Sequence, residues 1–264
     1  GDAGKLAADA AAAGAPGSRV VGGAGPIHEA VTGILHSGGP VPALASVPTG
    51  TGNDFVRMVG VPWDVDSALD LLMHGRVARL DVGRALFSGG RVHFVNLVGV
   101  GLDVEVLRRR SGFRSLSGLP QYLCSLAAAL SSFETIPLDV TFEGDGEMLG
   151  GSTILAGATV GPSVGGGFLI NPDASPHDGL LDLFFVEPLG PGRIVRYIPK
   201  VLRGTHGEVA EFHSRAVSRA RFSRADGEPF YFELDGELMP EPVPTLELEV
   251  CPSVIPVLLS RRDA

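Results

Sequence analysis

Residues 20–31, VVGGAGPIHEAV, place three glycines and a proline between a β-branched pair and an amphipathic run. Gly22, Gly23 and Gly25 can take dihedrals closed to other residues and leave room for a ligand beside the main chain. Downstream, Ile27, Ala30, Val31, Ile34 and Leu35 fall at i, i+3, i+4, i+7 and i+8, an apolar stripe that predicts a helix, and Pro26 suits its first position. Strand, glycine turn and helix together make one unit of an α/β layer. Free N–H groups at the start of such a helix favour a phosphate, although the same glycines also suit a turn that needs them for packing alone.

Around this unit the α/β pattern continues. GDAGKLAADAAAAG predicts an Ala-rich helix ending at Gly14 and lacks the basic and apolar regions of a signal peptide. A domain of this type normally opens on a strand, so residues upstream of the helix are expected. VPALASV, residues 41–47, reads as a buried strand, and PTGTGNDFVRMVGVP, residues 48–62, follows it. Thr49, Gly50, Thr51, Gly52, Asn53 and Asp54 gather small hydroxyl, amide and carboxylate groups that can hold phosphates and a hydrated metal. Asn53 or Asp54 can also cap a helix over Phe55–Val59.

Beyond residue 82 the signals change. Residues 88–103, 136–160, 181–187, 209–223 and 230–250 are short β-type runs divided by Gly, Pro and Asp turns. One stretch differs: LSGLPQYLCSLAAALSSF, residues 116–133, has helical spacing at Leu119, Leu123, Leu126, Ala127 and Leu130. It predicts a helix crossing between strands, packed into the core, with a lipid-facing lid as the other reading. At 264 residues, two domains are expected. No run of about 18 apolar residues is present to span a bilayer. A net charge of −9 argues against nucleic acid and against broad adhesion to anionic lipid, so any membrane contact must be local. Cys124 and Cys251 lack metal or disulfide-framework spacing, which suggests a reducing compartment. His28, His93 and His177 read as surface or satisfied groups, and SRAVSRARFSR, residues 214–224, as the solvated face of a strand, with a lipid-headgroup contact as the alternative.

The motif order carries a resemblance. After the glycine turn and P-x-GTGNDF-x-R come LDVG (residues 80–83), FVNLVGVGLD (94–103), GGGFLINPDASPHDGLLDLFFV (165–186) and FELDGEL (232–238). This series resembles the diacylglycerol kinase catalytic family, which includes bacterial lipid kinases, sphingosine kinases and ceramide kinases. The resemblance implies a NAD-kinase-like α/β nucleotide domain, residues 1–83, shortened at its N-terminus, then a β-sandwich domain, residues 84–264, with the active site between them. It also implies ATP and Mg²⁺ as cofactors and a lipid substrate at a membrane surface. Such a protein would be cytoplasmic, peripheral at the membrane, and compatible with a homodimer. By the same resemblance Gly22, Gly23, Gly25, Thr51 and Asn53 contact ATP, Asp54 and Asp81 hold magnesium through water, and Asp235 and Glu237 flank the acceptor hydroxyl, one as general base. A structural metal site would use Asp178 with the carbonyls of Ser175 and Leu180, where an Asx turn is the alternative. The Asp235–Glu237 segment is either extended, with both carboxylates on one face, or turned at its glycine.

The glycine turn departs from the family's GGDGT-x-N. Ala24 stands for the aspartate that helps order the magnesium waters, Pro26 for a threonine, and His28 for an asparagine. These changes imply either an impaired ATP-dependent lipid kinase or a non-catalytic relative that binds lipid or a partner. A NAD kinase shares the glycine turn but not the GTGNDF segment.

Overall fold

The computed structural model describes residues 2–50, 52–62, 64–143 and 147–259. Its first lobe runs α1 (Asp2–Ala12), β1 (Gly17–Gly22), α2 (Ala24–His36), β2 (Ala43–Pro48), α3 (Asp54–Met58) and α4 (Val65–His74). β1 and β2 are parallel, with Val20 opposite Ser46. The apolar stripe of α2 is its buried face: Ile27, Ala30, Val31 and Ile34 pack with Ala7 and Ala11 of α1 and Phe55 and Val56 of α3. α2 begins two residues earlier than the sequence suggests, with Gly23 at its N-cap, so Pro26 is its third residue. Proline is tolerated there because the N–H groups of a first turn have no intrahelical partner.

The second lobe contains β3 (Arg76–Phe87), β4 (Gly90–Phe94), β5 (Leu97–Gly101), α5 (Leu102–Arg110), α6 (Gly118–Leu130), β6 (Ile136–Phe142), β7 (Met148–Thr153) and β8 (Leu155–Thr159). It continues through β9 (Leu181–Val186), α7 (Pro191–Leu202), β10 (Phe212–Val217), β11 (Arg219–Arg224), β12 (Phe232–Leu234), β13 (Glu237–Leu238) and β14 (Thr245–Leu259). One sheet is antiparallel in the order β10-β9-β8-β5-β12-β13. It faces β6, β11 and the first half of β14 across a core that includes Val98, Phe232, Leu138, Phe222 and Leu248. α5, α6 and α7 lie between strands where the sequence signals only one helix, over residues 116–133. Pro199 inside α7 and β-branched valines in α5 mask their helical period.

The second sheet ties the lobes together. Its order is β1-β2-β14-β11-β6-β7, with β3 also on β14 and β4 on β3. The pairing of β14 with β3 shifts between Cys251 and Ile255, and each side of that irregularity enters a different core. Leu246 and Leu248 belong to the sandwich, whereas Ile255, Val257 and Leu259 pack with the α/β helices. β3 divides in the same way, with Leu80 and Val82 in one core and Ala85 in the other. A cut at residue 83 therefore separates the helices of the two lobes but not their sheet.

Gly83, at that crossing, lies opposite Phe94, and a side chain there would begin 2.0 Å from the Phe94 ring. Gly83→Ala is expected to overpack the junction at a cost of about 1–3 kcal/mol, read as a lower midpoint in urea unfolding. An unchanged midpoint would mean that the junction is loosely packed.

Candidate active site

The two glycine-rich turns meet in space. A side chain on Gly50 would begin 2.5 Å from the Gly23 Cα, so the backbones touch where only glycine fits. Asn53 takes a left-handed conformation, φ 52°, and its Nδ2 donates to the Gly50 carbonyl at 2.6 Å. It occupies the N-cap position of α3 but makes no side-chain cap, contrary to the capping role read from the sequence. Its Nδ2 holds the preceding loop, and its Oδ1, the atom a cap would use, is buried without a partner. Thr51 lies outside the described residues. In the first turn of α2 the Ile27 N–H bonds the Gly23 carbonyl and Pro26 has none, leaving the N–H groups of Ala24 and Gly25 at the wall of a cleft of about 340 Å³. Opposite them stand Asp103, Gln121 and Tyr122 of α5 and α6, and the segment from Glu233 to Glu237.

That segment is turned, not extended. Leu234 pairs with Glu237, and Asp235 (φ 51°) and Gly236 (φ 87°) form a two-residue hairpin turn with both φ values positive. The Asp235 side chain is fully buried, and its carboxylate is saturated. Oδ1 accepts the N–H groups of Asn96 (2.8 Å) and Leu97 (3.0 Å), while Oδ2 accepts the Val95 N–H (2.9 Å) and lies 2.7 Å from His28 Nδ1. Burial pulls the His28 pKa down, but the bond to Asp235 and the charges of Asp235, Glu237 and Glu29 outweigh it, so His28 titrates above the usual imidazole value. Glu237 has no side-chain partner among the described residues and is exposed at the cleft; a side chain on Gly25 would begin 3.7 Å from its Oε1.

The other predicted carboxylates separate. Asp54 lines the cleft, its Oδ2 accepting the Gly166 N–H at 2.8 Å and its Oδ1 the Ser163 hydroxyl at 3.2 Å. Burial raises its carboxyl above the ordinary value in spite of those bonds. Asp81 is not part of the cleft wall; it accepts the N–H groups of Gly179 and Ser253, each at 2.7 Å, and so pins β3 to the 176–179 turn and to the irregularity of β14. Asp178 accepts the Leu180 N–H at 3.0 Å, an Asx turn. Nearby, burial and the charges of Asp178 and Asp173 push Asp182 up to about 6, and its Oδ2 is buried without a partner. That excess of negative charge suits a hard cation, which Asp178 and the carbonyls of Ser175 and Leu180 could hold. Among the described residues, no three His, Cys, Asp or Glu side chains form a ligand cluster.

Sequence reasoning did not single out Asp103 and Glu233. They face one another over Gly99, where a side chain would begin 2.8 Å from Glu233 Oε1 and 2.9 Å from Asp103 Oδ2. Gly236 N–H donates to Glu233 Oε2 at 2.7 Å and the Tyr122 hydroxyl to Asp103 Oδ1 at 3.4 Å, while Glu233 Oε1 has no partner. Burial raises both carboxyls, that of Glu233 well above its usual range, where the charge of Asp103 adds to the effect of burial. The available signal was a carboxylate inside the apolar strand FEL and another directly after VGVGL. Leu97, Asp103 and Tyr122 also border an apolar cavity of about 130 Å³ between the antiparallel sheet, α6 and α7.

An α/β lobe joined through its sheet to a β-sandwich is the NAD-kinase-like fold. Yeast NADH kinase, solved with NADH, superposes with a TM-score of 0.53 at 14% identity, over 93% of this chain and 62% of that one. A diacylglycerol kinase from Bacillus anthracis superposes with a TM-score of 0.73 at 21% identity, over 100% of this chain and 83% of that one. In sequence, residues 1–85 match the diacylglycerol kinase catalytic domain and residues 96–259 the YegS C-terminal NAD kinase beta sandwich-like domain. A Mycobacterium tuberculosis diacylglycerol kinase is 30% identical over 263 residues, 99% of this chain and 82% of the relative. A Bacillus subtilis diacylglycerol kinase is 31% identical over 221 residues, 82% of this chain and 69% of the relative. The chain belongs to the diacylglycerol kinase catalytic family, a family of lipid kinases.

The His28–Asp235 pair has a defined pH signature. Because the folded pKa of His28 is raised, its contribution to stability is full below the unfolded value near 6.5 and is lost as pH rises through the folded pKa. The difference in melting temperature between the parent and His28→Gln should be largest in acid and shrink toward alkaline pH. A difference independent of pH would show that the pair carries no charge.

Proposed function

We propose that this chain is an ATP-dependent lipid kinase that transfers the γ-phosphate to the hydroxyl of a diacylglycerol- or sphingoid-type lipid. The observation that carries this reading is the cleft, where the glycine turns and the Asp235–Glu237 hairpin face each other beside an apolar cavity. ATP phosphates would rest on Gly23, Gly25 and Asn53; Gly22, assigned to ATP with them by the family pattern, is buried against Pro26 and is not part of the cleft wall. Magnesium would neutralise phosphate charge, held through water by Asp54; Asp81, with both oxygens on backbone N–H groups, would support the fold around it. The acceptor hydroxyl would sit at Glu237, and the acyl chains would enter the apolar cavity.

Of the two hairpin carboxylates, Glu237 is the better general base. A base must have a free lone pair within hydrogen-bond reach of the proton it takes. Asp235 has four hydrogens on two oxygens, whereas Glu237 is open to the cleft. In the proposed step Glu237 takes the proton as the lipid oxygen bonds to the γ-phosphorus and the bond to the β-phosphate oxygen breaks, releasing ADP. Asp235 fixes the hairpin that presents Glu237. Phosphate transfer from labelled ATP to diacylglycerol, ceramide and sphingosine tests the activity. Glu237→Gln should lower turnover about 10²–10⁴-fold with an unchanged melting temperature, whereas Asp235→Asn, which sets an amide against backbone donors, should also unfold more easily. Full turnover in Glu237→Gln would remove it from the mechanism.

Ala24 and Pro26 favour a second reading, a relative with little or no catalysis. Ala24 cannot accept from metal-bound water, and Pro26 offers no N–H to a phosphate. Positioning and charge stabilisation supply most of the rate in phosphoryl transfer, so a defect here should slow turnover more than it weakens lipid binding. Ala24→Asp with Pro26→Thr is therefore expected to raise turnover above the parent. If the parent already turns over at about 1–100 per second, or if the double variant binds ATP and gains nothing, the turn is not the limiting defect.

A further inference from the structure

α7, PGRIVRYIPKVL, has no buried residue although it walls the apolar cavity. Its inner face, Ile194, Tyr197, Ile198 and Val201, borders that cavity. On the other side Val195, 58% exposed, Arg196, Pro199 and Lys200 point outward, followed by exposed Arg203. Their spacing of three and four residues puts them on one face. From Pro188 to Gly207 there is no Asp or Glu, but there are four cations, in a chain of net charge −9.

Another cationic segment is neutralised within the fold. The basic run of β10 and β11 is answered carboxylate by carboxylate: Arg215 by Glu147, Arg219 by Glu143 and Glu249, Arg221 by Glu247 and Arg224 by Asp226. On α7, Arg193 pairs with Glu211 at 2.6 Å. Arg196, Lys200 and Arg203 have no carboxylate partner among the described residues. Because the apolar face of α7 is turned to the cavity, this outer face can meet a bilayer only at its headgroups, where cations without carboxylate partners are attracted to anionic lipid. The surplus negative charge of the chain would repel an anionic surface at most orientations, so a local positive face selects one. No helix of the described residues is long and apolar enough to cross a membrane.

We propose that the outer face of α7 docks this protein on the surface of an anionic bilayer, setting the apolar cavity against the acyl region from which a lipid enters. The inference rests on the lipid-kinase reading only for the use made of docking, and it is tested without ATP. The full chain is floated with vesicles of phosphatidylcholine, with and without phosphatidylglycerol. The parent should bind only the phosphatidylglycerol vesicles and be released by salt. R196Q/K200Q/R203Q should bind them about a hundredfold more weakly, roughly fivefold for each cation removed, and Val195→Asp should also weaken binding. R219Q/R221Q on β11 should bind as the parent does, and circular dichroism should show each variant folded. Binding that survives the triple variant, or a parent that binds neither vesicle, overturns the docking face. Phosphate transfer to detergent-dispersed lipid separates the two ideas. Transfer without vesicle binding leaves the kinase and removes the docking face, whereas α7-dependent binding without transfer does the reverse.

Discussion

The Asp235 carboxylate is the interaction on which the cleft depends. Between β4 and β5 the chain leaves the N–H groups of Val95, Asn96 and Leu97 pointing at one place, and a buried donor without an acceptor costs about 1–3 kcal/mol. Asp235 accepts all three and adds His28 from α2. A single side chain thus fixes the start of β5, the tip of the β12–β13 hairpin and the first turns of α2, elements far apart in the chain. The left-handed backbone at Asp235 is a strain that these bonds hold in place.

The rest of the architecture explains why such a pin can be placed accurately. β3 and β14 run through both cores, so the two lobes share hydrogen-bonded strands and not only a surface. The direct backbone contact of Gly23 and Gly50 then sets the two glycine-rich loops against each other. Asp81, which the family pattern suggests as a magnesium residue, spends both oxygens on stitching this junction.

Much of this was legible in the sequence, and the remainder was hidden for physical reasons. The apolar stripe of α2 reports burial through a local period, and the ordered motifs report the family. On α6 the helix forms as predicted, but Ala127 is exposed and only Leu126 of the predicted stripe is buried. The buried face is Gln121, Ser125, Leu126 and Ala129, whose two polar members break the apolar signal. The return of Ile255–Leu259 to the α/β core leaves no such mark, because strand order in a sheet depends on pairing between distant segments. His28 reads as one of several scattered histidines until Asp235 is placed 2.7 Å from it. Asp103 and Glu233 are lone acids in apolar runs, and only the fold brings them together over Gly99. The Asp235–Gly236 turn could be read either way from its residues, and cross-strand pairing of Leu234 with Glu237 decides it.

Among the described residues the cleft is lined by five acids, Asp54, Asp103, Glu233, Asp235 and Glu237, against one cation, Arg110, a balance that weighs against the phosphate binding proposed for it. The environments of these acids lower the effective charge. Burial raises the carboxyls of Asp54, Asp103 and Glu233, and the last two share a site in which both cannot readily ionise. Asp235 is surrounded by three N–H dipoles and by His28, whose own pKa is raised. Glu237 is left as the exposed carboxylate beside the first turn of α2, and Ala24 in that turn adds no further negative charge. The cleft is therefore less negative than its count of acids implies, and the base role proposed for Glu237 rests on its being the exposed carboxylate among them.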